Sequence, residues 1–536
     1  MNHTQAKEHT EDILQWYDWG REAFDRAAGE GKPMRIVIDR GETVRSRGGK
    51  GTVGRLTARY FVPVCVDGAA FPEVAEAYRM ASAMLTGRNA LPLEVLADSS
   101  GVPFFAAGAP GEAELAGLLS SVALHWMGDG AVYEETAALL RRQLDEEASP
   151  TATMTLREIG EGYLRTLLER CAENEPLQPQ DLLFLFTYAK RTGERVLLDG
   201  AERALLQLCM GPRWDHIGGG FYAADALGYE KRLSDQSWMM EVLLSAVNIT
   251  GRSVYKKLLG ETADFVIREL RHECGGFCEG VVCKQGNFLT ADRVAAVVGE
   301  EVALDFCAAY GVGAAPSLPY WVGGSAVGGK ALHELRMKLY RDRLQRGGAS
   351  MQEKILLGQN GLMIAALAKA GRTLGVHRYL TAAVGAEEFL RSRMVAPPDL
   401  RRYYCRGKVA GEGALEDYGG YAMGLYELYR CGCGEEYLCH SGRVMARGDA
   451  LFSDHDRSGY FLGRDGGNLP VRPKLYAGEG LPCGWSVALG VLVKLAREIR
   501  HPGLRRRVRQ LVEHGTAMAE QQPCGYALSV MLEASQ

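Results

Sequence analysis

Past residue 154 the chain carries one dominant signal: apolar helices that end at glycine turns about 60 residues apart. The turns fall at Gly193, Gly251, near Gly311, at Gly375, near Gly432, and at Pro502-Gly503. Each interval holds two helices and two loops, and Gly-aromatic loops recur at Gly220-Phe221-Tyr222, Gly276-Phe277 and Gly459-Tyr460-Phe461. One helical hairpin cannot bury both its faces, so repeated hairpins must share a core. Six of them predict a closed all-α ring, an (α/α)6 barrel. Gly361–Ala370 is apolar nearly all round and reads as an inner helix. Tyr255–Leu270 is amphipathic and reads as an outer one. The unit near Gly311 is the weakest, because residues 313–329 are irregular and rich in Gly and Pro. Such a ring leaves a central funnel in which polar residues gather.

The first 130 residues differ: helix and strand signals alternate there. Trp19–Glu30 reads as a helix stopped at Gly31 and Pro33, and Met34–Ile38 as a strand. A Gly- and Arg-rich loop, Asp39–Gly51, precedes a short helix at Thr52–Arg59. Then come a β-branched strand (Phe61–Val66), a helix (Pro72–Leu85), a hairpin around Asp98–Gly101, and a helix (Glu112–Trp126). That order predicts an α/β sheet domain over 1–145. Glu146–Thr153 reads as the linker, and the helical domain as 154–536.

Composition narrows the function classes. The chain has 536 residues, 47% apolar and 24% charged, as ordinary globular chains do. A net charge of -4 gives no reason to expect nucleic acid or an anionic membrane as partner. Met1–Asp12 is polar and lacks the apolar core of a secretory signal, and no apolar run is long enough to span a bilayer. The expected location is the cytoplasm. The 13 cysteines then read as reduced thiols. Two clusters merit a metal check, Cys274/Cys278/Cys283 and Cys431/Cys433/Cys439 with His440. Neither has paired C-x2-C spacing, so no metal and no other cofactor is expected.

Trp16-Tyr17-Asp18-Trp19-Gly20-Arg21-Glu22-Ala23-Phe24 resembles the opening of a known group. These are thioredoxin-domain proteins with a six-hairpin barrel attached, named after a mammalian spermatogenesis-associated member and also called the DUF255 family. Matching blocks follow in family order: Leu85-Thr86-Gly87, Pro92-Leu93, Pro103-Phe104-Phe105, Trp214-Asp215-His216-Ile217-Gly218-Gly219-Gly220-Phe221 and Tyr229-Glu230-Lys231. The later ones are Lys354-Ile355-Leu356, Asn360-Gly361-Leu362-Met363, Leu415-Glu416-Asp417-Tyr418, Val471-Arg472-Pro473-Lys474 and Pro482-Cys483-Gly484-Trp485-Ser486. The resemblance implies a thioredoxin-like α/β domain followed by a six-hairpin glycosidase-like toroid.

The departures from that family are as informative. Its first domain carries Cys-His-Trp-Cys after the first core strand. Here Gly41-Glu42-Thr43-Val44-Arg45-Ser46-Arg47 stands in its place, with Thr43 and Ser46 at the thiol positions. Thiol exchange needs a thiolate and a resolving thiol, which two hydroxyls cannot supply. Pro92 resembles the family's cis-proline, and Cys65 reads as a buried strand residue. The family's His-Phe-Glu-Lys-Met-Leu-Tyr-Asp-Asn run has Gly228 for its histidine, Ser234 for its tyrosine and Gln236 for its asparagine.

Several residues remain as candidates in the helical domain. Asp215 and His216 suit an acid/base unit or a ligand clamp; the plainer reading is a loop-closing Asp beside an exposed His. Glu230, Lys231 and Asp235 suit hydroxyl binding, or a solvated helix start. Lys354 flanks the same region as Asn360, which reads as the N-cap of the apolar helix after it. Glu416 and Asp417 point about 100° apart on a helix, so one can face the funnel while the other caps. Tyr418 would lie beside the ligand, and Arg472 and Lys474 would wall it with positive charge, unless they are merely solvated.

Two readings stand open. One is an acid/base enzyme, a sugar epimerase, isomerase or hydrolase by analogy with barrels the resemblance brings in. The other is a non-catalytic descendant that keeps a polar pocket for a carbohydrate-like small molecule, or binds a protein. Convergence of Asp215, His216, Glu230, Lys354, Glu416, Asp417, Arg472 and Lys474 on one pocket separates them. A bulky side chain such as Trp485 in the funnel counts against an enzyme.

Overall fold

A computed structural model describes residues 14–40, 51–129, 131–145, 151–283, 287–323, 329–346, 349–466, 468–478 and 480–535. It divides into two compact units. The first comprises Met1–Ser149 and Phe461–Lys474; the second comprises Pro150–Tyr460 and Leu475–Gln536. Thr43 and Ser46, and the linker residues before 151, lie outside the described residues.

The first unit runs β1 (Tyr17–Asp18), α1 (Arg21–Glu30), β2 (Met34–Asp39), α2 (Gly51–Tyr60), β3 (Val62–Asp67), α3 (Pro72–Thr86), β4 (Leu93–Ala97), β5 (Pro103–Gly108), α4 (Glu112–Asp129) and α5 (Ala131–Asp145). The sheet order is β1-β3-β2-β4-β5, with β1, β3 and β2 parallel, β4 antiparallel to β2, and β5 antiparallel to β4. This is the thioredoxin-like domain, and the Leu91–Pro92 peptide before β4 is cis. Gly31 ends α1 in the left-handed conformation at φ 60°, as the sequence signal requires. Arg35 sits wholly buried in the central strand, held by Glu94 (2.8 Å) and Thr57 (2.9 Å). Cys65 is buried in β3. The sequence reading closes this domain at α4, but α5 adds a further helix that packs on β5 and α3. It also assigns 461–474 to the helical domain, whereas Leu469 and Val471 pack on the first unit's core.

The second unit contains the ring. Its inner helices are α7 (Pro179–Thr192), α9 (Leu233–Thr250), α14 (Leu357–Leu374), α16 (Leu415–Arg430), α18 (Gly484–Ile499) and α20 (Gly525–Ala534). Each packs on the next, and α20 packs back on α7, so the ring closes. The outer helices are α6 (Leu156–Ala172), α8 (Arg195–Met210), α10 (Ser253–Phe265), α15 (His377–Arg393), α17 (Glu436–Phe452) and α19 (Pro502–Gln521). α10 ends in a turn of π-helix over Val266–Leu270.

The expected glycine turns at Gly193, Gly251, Gly375 and Gly432 join inner to outer helices, and Pro502 opens α19. Gly311 does not belong to the ring. It ends α12 (Glu300–Tyr310), part of an insertion with α11 (Ala291–Val298) and α13 (Gly329–Gln345). The sixth hairpin is made by the two ends of the unit, where α20 packs on α6. The structure also contains short strands where sequence signals for them nearly vanish. β6 (Glu230–Arg232), β7 (Gly280–Cys283) and β8 (Ala349–Gln352) form one sheet. β9 (Ile355–Leu356), β10 (Val395–Ala396), β11 (Asp399–Cys405) and β12 (Lys408–Glu412) form another.

Glycine sets the spacing at three seams of the ring. A Cβ on Gly361 of α14 would lie 2.3 Å from the Gly420 carbonyl oxygen of α16, and one on Gly424 2.6 Å from the Gly361 oxygen. A Cβ on Gly484 would meet the Glu416 backbone nitrogen at 2.9 Å, and one on Gly525 the Gln180 oxygen at 2.4 Å. Backbone cannot yield as a flexible side chain does. Gly361→Ala and Gly420→Ala are therefore each expected to lower unfolding free energy by about 1–3 kcal/mol in denaturant titration. Gly162→Ala on α6 meets open space and should be neutral or gain up to about 1 kcal/mol. An unaffected Gly361→Ala chain would contradict the close seam.

Candidate functional site

The segment Trp214–Phe221 forms a tight loop between α8 and α9, closed by a bridge between its two aromatic ends. Asp215 N donates to Gly220 O (3.0 Å), and Gly219 N donates to Asp215 O (2.9 Å). Gly219 and Gly220 both have positive φ, 77° and 79°, and a Cβ on Gly220 would strike the Phe265 ring at 2.5 Å. Glycine is required at both places.

The loop turns Asp215 inward, where it is 2% exposed. Lys231 Nζ donates to its Oδ2 at 2.5 Å, and Arg343 reaches it with Nη1 at 2.6 Å and Nη2 at 3.1 Å. Lys231 also donates to Gly219 O and lies over the Tyr222 and Phe265 rings. Burial disfavours the Asp215 carboxylate, but Arg343 and Lys231 outweigh it and hold its pKa well below the usual range. The cavity beside this triad is about 30 Å³, too small for a sugar-sized ligand. The triad thus ties the loop to β6 and to the inserted helix α13.

His216 points elsewhere. Its Nε2 lies 3.1 Å from Met210 O, its ring packs edge-on to Tyr310, and it is buried rather than exposed. Glu230 pairs with Arg232 (Nη2 to Oε2, 2.6 Å), and Asp235 lies 3.5 Å from Arg213. Asn360 is not the N-cap of α14, which starts at Leu357. Its side chain instead holds the Phe277 backbone, accepting from Phe277 N (2.7 Å) and donating to Phe277 O (2.8 Å). Gln236 does the same to Phe221 one repeat earlier. Lys354 Nζ lies over the Tyr403 ring.

Asp417 and Glu416 share Arg402, at 2.7 and 2.5 Å, and Asp417 also accepts from Gly358 N and Ala414 N. Tyr418 is buried and its hydroxyl accepts from Leu400 N. Arg472 and Lys474 belong to the first unit, both over the Phe461 ring. Trp485 packs on Tyr476 and against Gly515 of α19, so it fills space behind α18 and not the axis of the ring. Within the second unit the sequence-picked residues thus gather as separate clusters, Asp215 with Lys231 and Glu416 with Asp417. Among the described residues no group of three or more His, Cys, Asp or Glu is placed to hold a metal, which covers both cysteine clusters. No described helix is long and apolar enough to cross a membrane.

A roomier cavity than the one beside Asp215 lies on the ring axis. It measures about 320 Å³ and takes at least one lining residue from each of the six inner helices. Trp238 and Tyr526 meet edge to face, with centroids 5.0 Å apart, at one end. Glu241 and Lys369 pair across it at 2.5 Å, and Lys494 reaches from its wall to Glu427 at 2.9 Å. Burial disfavours the Lys369 ammonium, but Glu241 and Glu427 outweigh it and raise its pKa. Burial likewise opposes Glu427, but Lys369 and Lys494 prevail and lower it. The sequence reading missed all of these residues. A signal existed: Glu241, Lys369 and Lys494 each interrupt an apolar stretch within a helix, which an inner helix does not do without a reason.

The triad gives a test. Asp215→Asn strands two buried cations, and should cost roughly 3–5 kcal/mol in denaturant titration at pH 7. A lowered carboxyl pKa stabilises above the unfolded value of about 3.9 and is lost as pH falls through the folded value. The gap between wild type and Asp215→Asn should therefore be full at pH 7 and shrink below about pH 4. A gap that is absent at pH 7 would contradict the pairing.

Residues 3–145 match the family described as Thioredox_DsbH, protein of unknown function, DUF255. Spermatogenesis-associated protein 20 of Rattus norvegicus is 26% identical across 91% of this chain and 74% of its own length. The Homo sapiens protein is 25% identical over the same shares. Among solved structures, the Lin0763 protein of Listeria innocua is similar at a TM-score of 0.43 and 12% identity, over 71% of this chain and 96% of that one. With the first domain matched and relatives aligned along 91% of its length, the chain is similar to the DUF255 proteins and to spermatogenesis-associated protein 20.

Proposed function

We propose that this chain is a family member without thiol chemistry, whose helical ring binds a carbohydrate-like small molecule in the axial pocket. The carrying observation is the pocket itself: about 320 Å³ on the axis, with an aromatic pair and several hydroxyls and ion pairs in its wall. That size and mixture suit a small polyhydroxylated ligand, since aromatic faces stack on the apolar side of a sugar ring while polar groups take its hydroxyls.

Three serines support this reading. Ser237, Ser245 and Ser529 donate to carbonyls of their own helices, which leaves their oxygens free to accept from ligand hydroxyls. We assign Asp215, Lys231, Glu416, Asp417 and Asn360 to holding loops, because each is already bonded to protein. An acid/base enzyme would need a free carboxyl at the ligand, and Glu241 is ion-paired. The loss of thiol chemistry rests on the sequence: Cys65 is the only cysteine in residues 1–145, and it is buried in β3.

Two measurements follow. The chain should fail to accelerate dithiol reduction of a protein disulfide above the uncatalysed rate; acceleration that survives Cys65→Ser would overturn the redox part. In thermal shift, millimolar monosaccharides or disaccharides should raise the midpoint of the wild type but not of Ser245→Tyr, which fills the pocket from α9. Equal shifts in both would place the ligand elsewhere.

A further inference from the structure

Resting on that reading, we propose that the axial pocket selects polyhydroxylated molecules carrying no net charge and rejects their uronate, phosphate and amino counterparts. Successive inner helices bring alternating signs: Glu241 on α9, Lys369 on α14, Glu427 on α16 and Lys494 on α18. Glu241 is paired with Lys369 at 2.5 Å, and Glu427 with Lys494 at 2.9 Å. Lys369 also feels Glu427, so the four form one neutral chain rather than two isolated pairs. Glu533, at the rim, has Arg497 at 3.5 Å.

An anionic group that approaches Lys369 meets the carboxylates of Glu241 and Glu427. A cationic group that approaches Glu241 meets the Lys369 ammonium. Either must open an ion pair and leave one member uncompensated in a partly dry cavity, which is the costly way to break such a pair. A hydroxyl needs no such opening. It can donate to a lone pair that the carboxylate still has free, and accept from a proton that the ammonium still has free. The ion pairs therefore act as a row of ready donors and acceptors for uncharged ligands and as a filter against charged ones. Asn248, near the last turn of α9, and Glu533 are exposed pocket residues, so the mouth lies at the C-terminal ends of the inner helices.

The test is isothermal titration of the full chain with D-glucose, D-mannose and D-galactose, each beside its uronate, 2-amino and 6-phosphate derivatives. At least one neutral sugar should bind at least tenfold tighter than each of its charged derivatives. Glu241→Gln, which unbalances the chain towards positive charge, should shift preference towards the uronate. Lys369→Met should shift it towards the amino sugar. A charged derivative that binds wild type as well as or better than the neutral sugar overturns the charge filter but leaves the pocket reading standing. If none of the sugars binds in any charge form, the pocket reading fails and the filter with it. Should either variant not fold, the wild-type panel alone decides between these results.

Discussion

Backbone meets backbone where α14, α16, α18 and α20 join the ring, and glycine makes this possible. Gly361 against Gly420, Gly484 against Glu416, and Gly525 against Gln180 leave no room for a Cβ. Close seams on that side draw the inner helices together and leave a narrow axis lined by a few side chains from each helix. A pocket of about 320 Å³ survives on that axis only because small residues line part of it, Ala365, Ser529 and Ser237 among them. The ring geometry thus comes first, and the pocket is its consequence.

The same geometry explains where the polar residues went. Each inner helix must start at a defined height, so the loop before it needs anchoring. Gln236 and Asn360 do this with paired amide bonds to Phe221 and Phe277. Asp417 does it with Gly358 N, Ala414 N and Arg402, and Asp215 with Lys231 and Arg343. Buried polar groups left without partners cost more than the bonds they make, and in these networks each anchoring side chain is bonded to the loop it holds, while Arg343 Nε alone stays buried without a partner. A residue so fully bonded has little left for a ligand. The blocks that mark the family in this sequence are, in this structure, mostly marks of how its loops are held.

This bears on what the sequence could tell. Helix periodicity and glycine turns were enough for the α/β domain and for a six-hairpin ring. The glycine turns account for only part of the six: Gly311 belongs to the insertion, and the sixth hairpin joins segments at opposite ends of the unit, α20 with α6. No local pattern reveals such a pairing, because it depends on closure. Arg343 could not be read either, since its partner Asp215 is far away in sequence and the helix that carries it looks like an ordinary charged surface helix. Glu241, Lys369 and Lys494 were legible in principle, as charges inside apolar stretches of helix. Their convergence depends on the ring, which sets them at one level of the axis.

The most direct test of the account is a crystal structure of the full chain soaked in neutral monosaccharide. The account predicts ligand density on the ring axis, stacked near Trp238 and Tyr526 with hydroxyls on Glu241 and Lys369. Density instead at the Asp215 loop or on the outside of the ring, with the axis empty at saturating sugar, would contradict it.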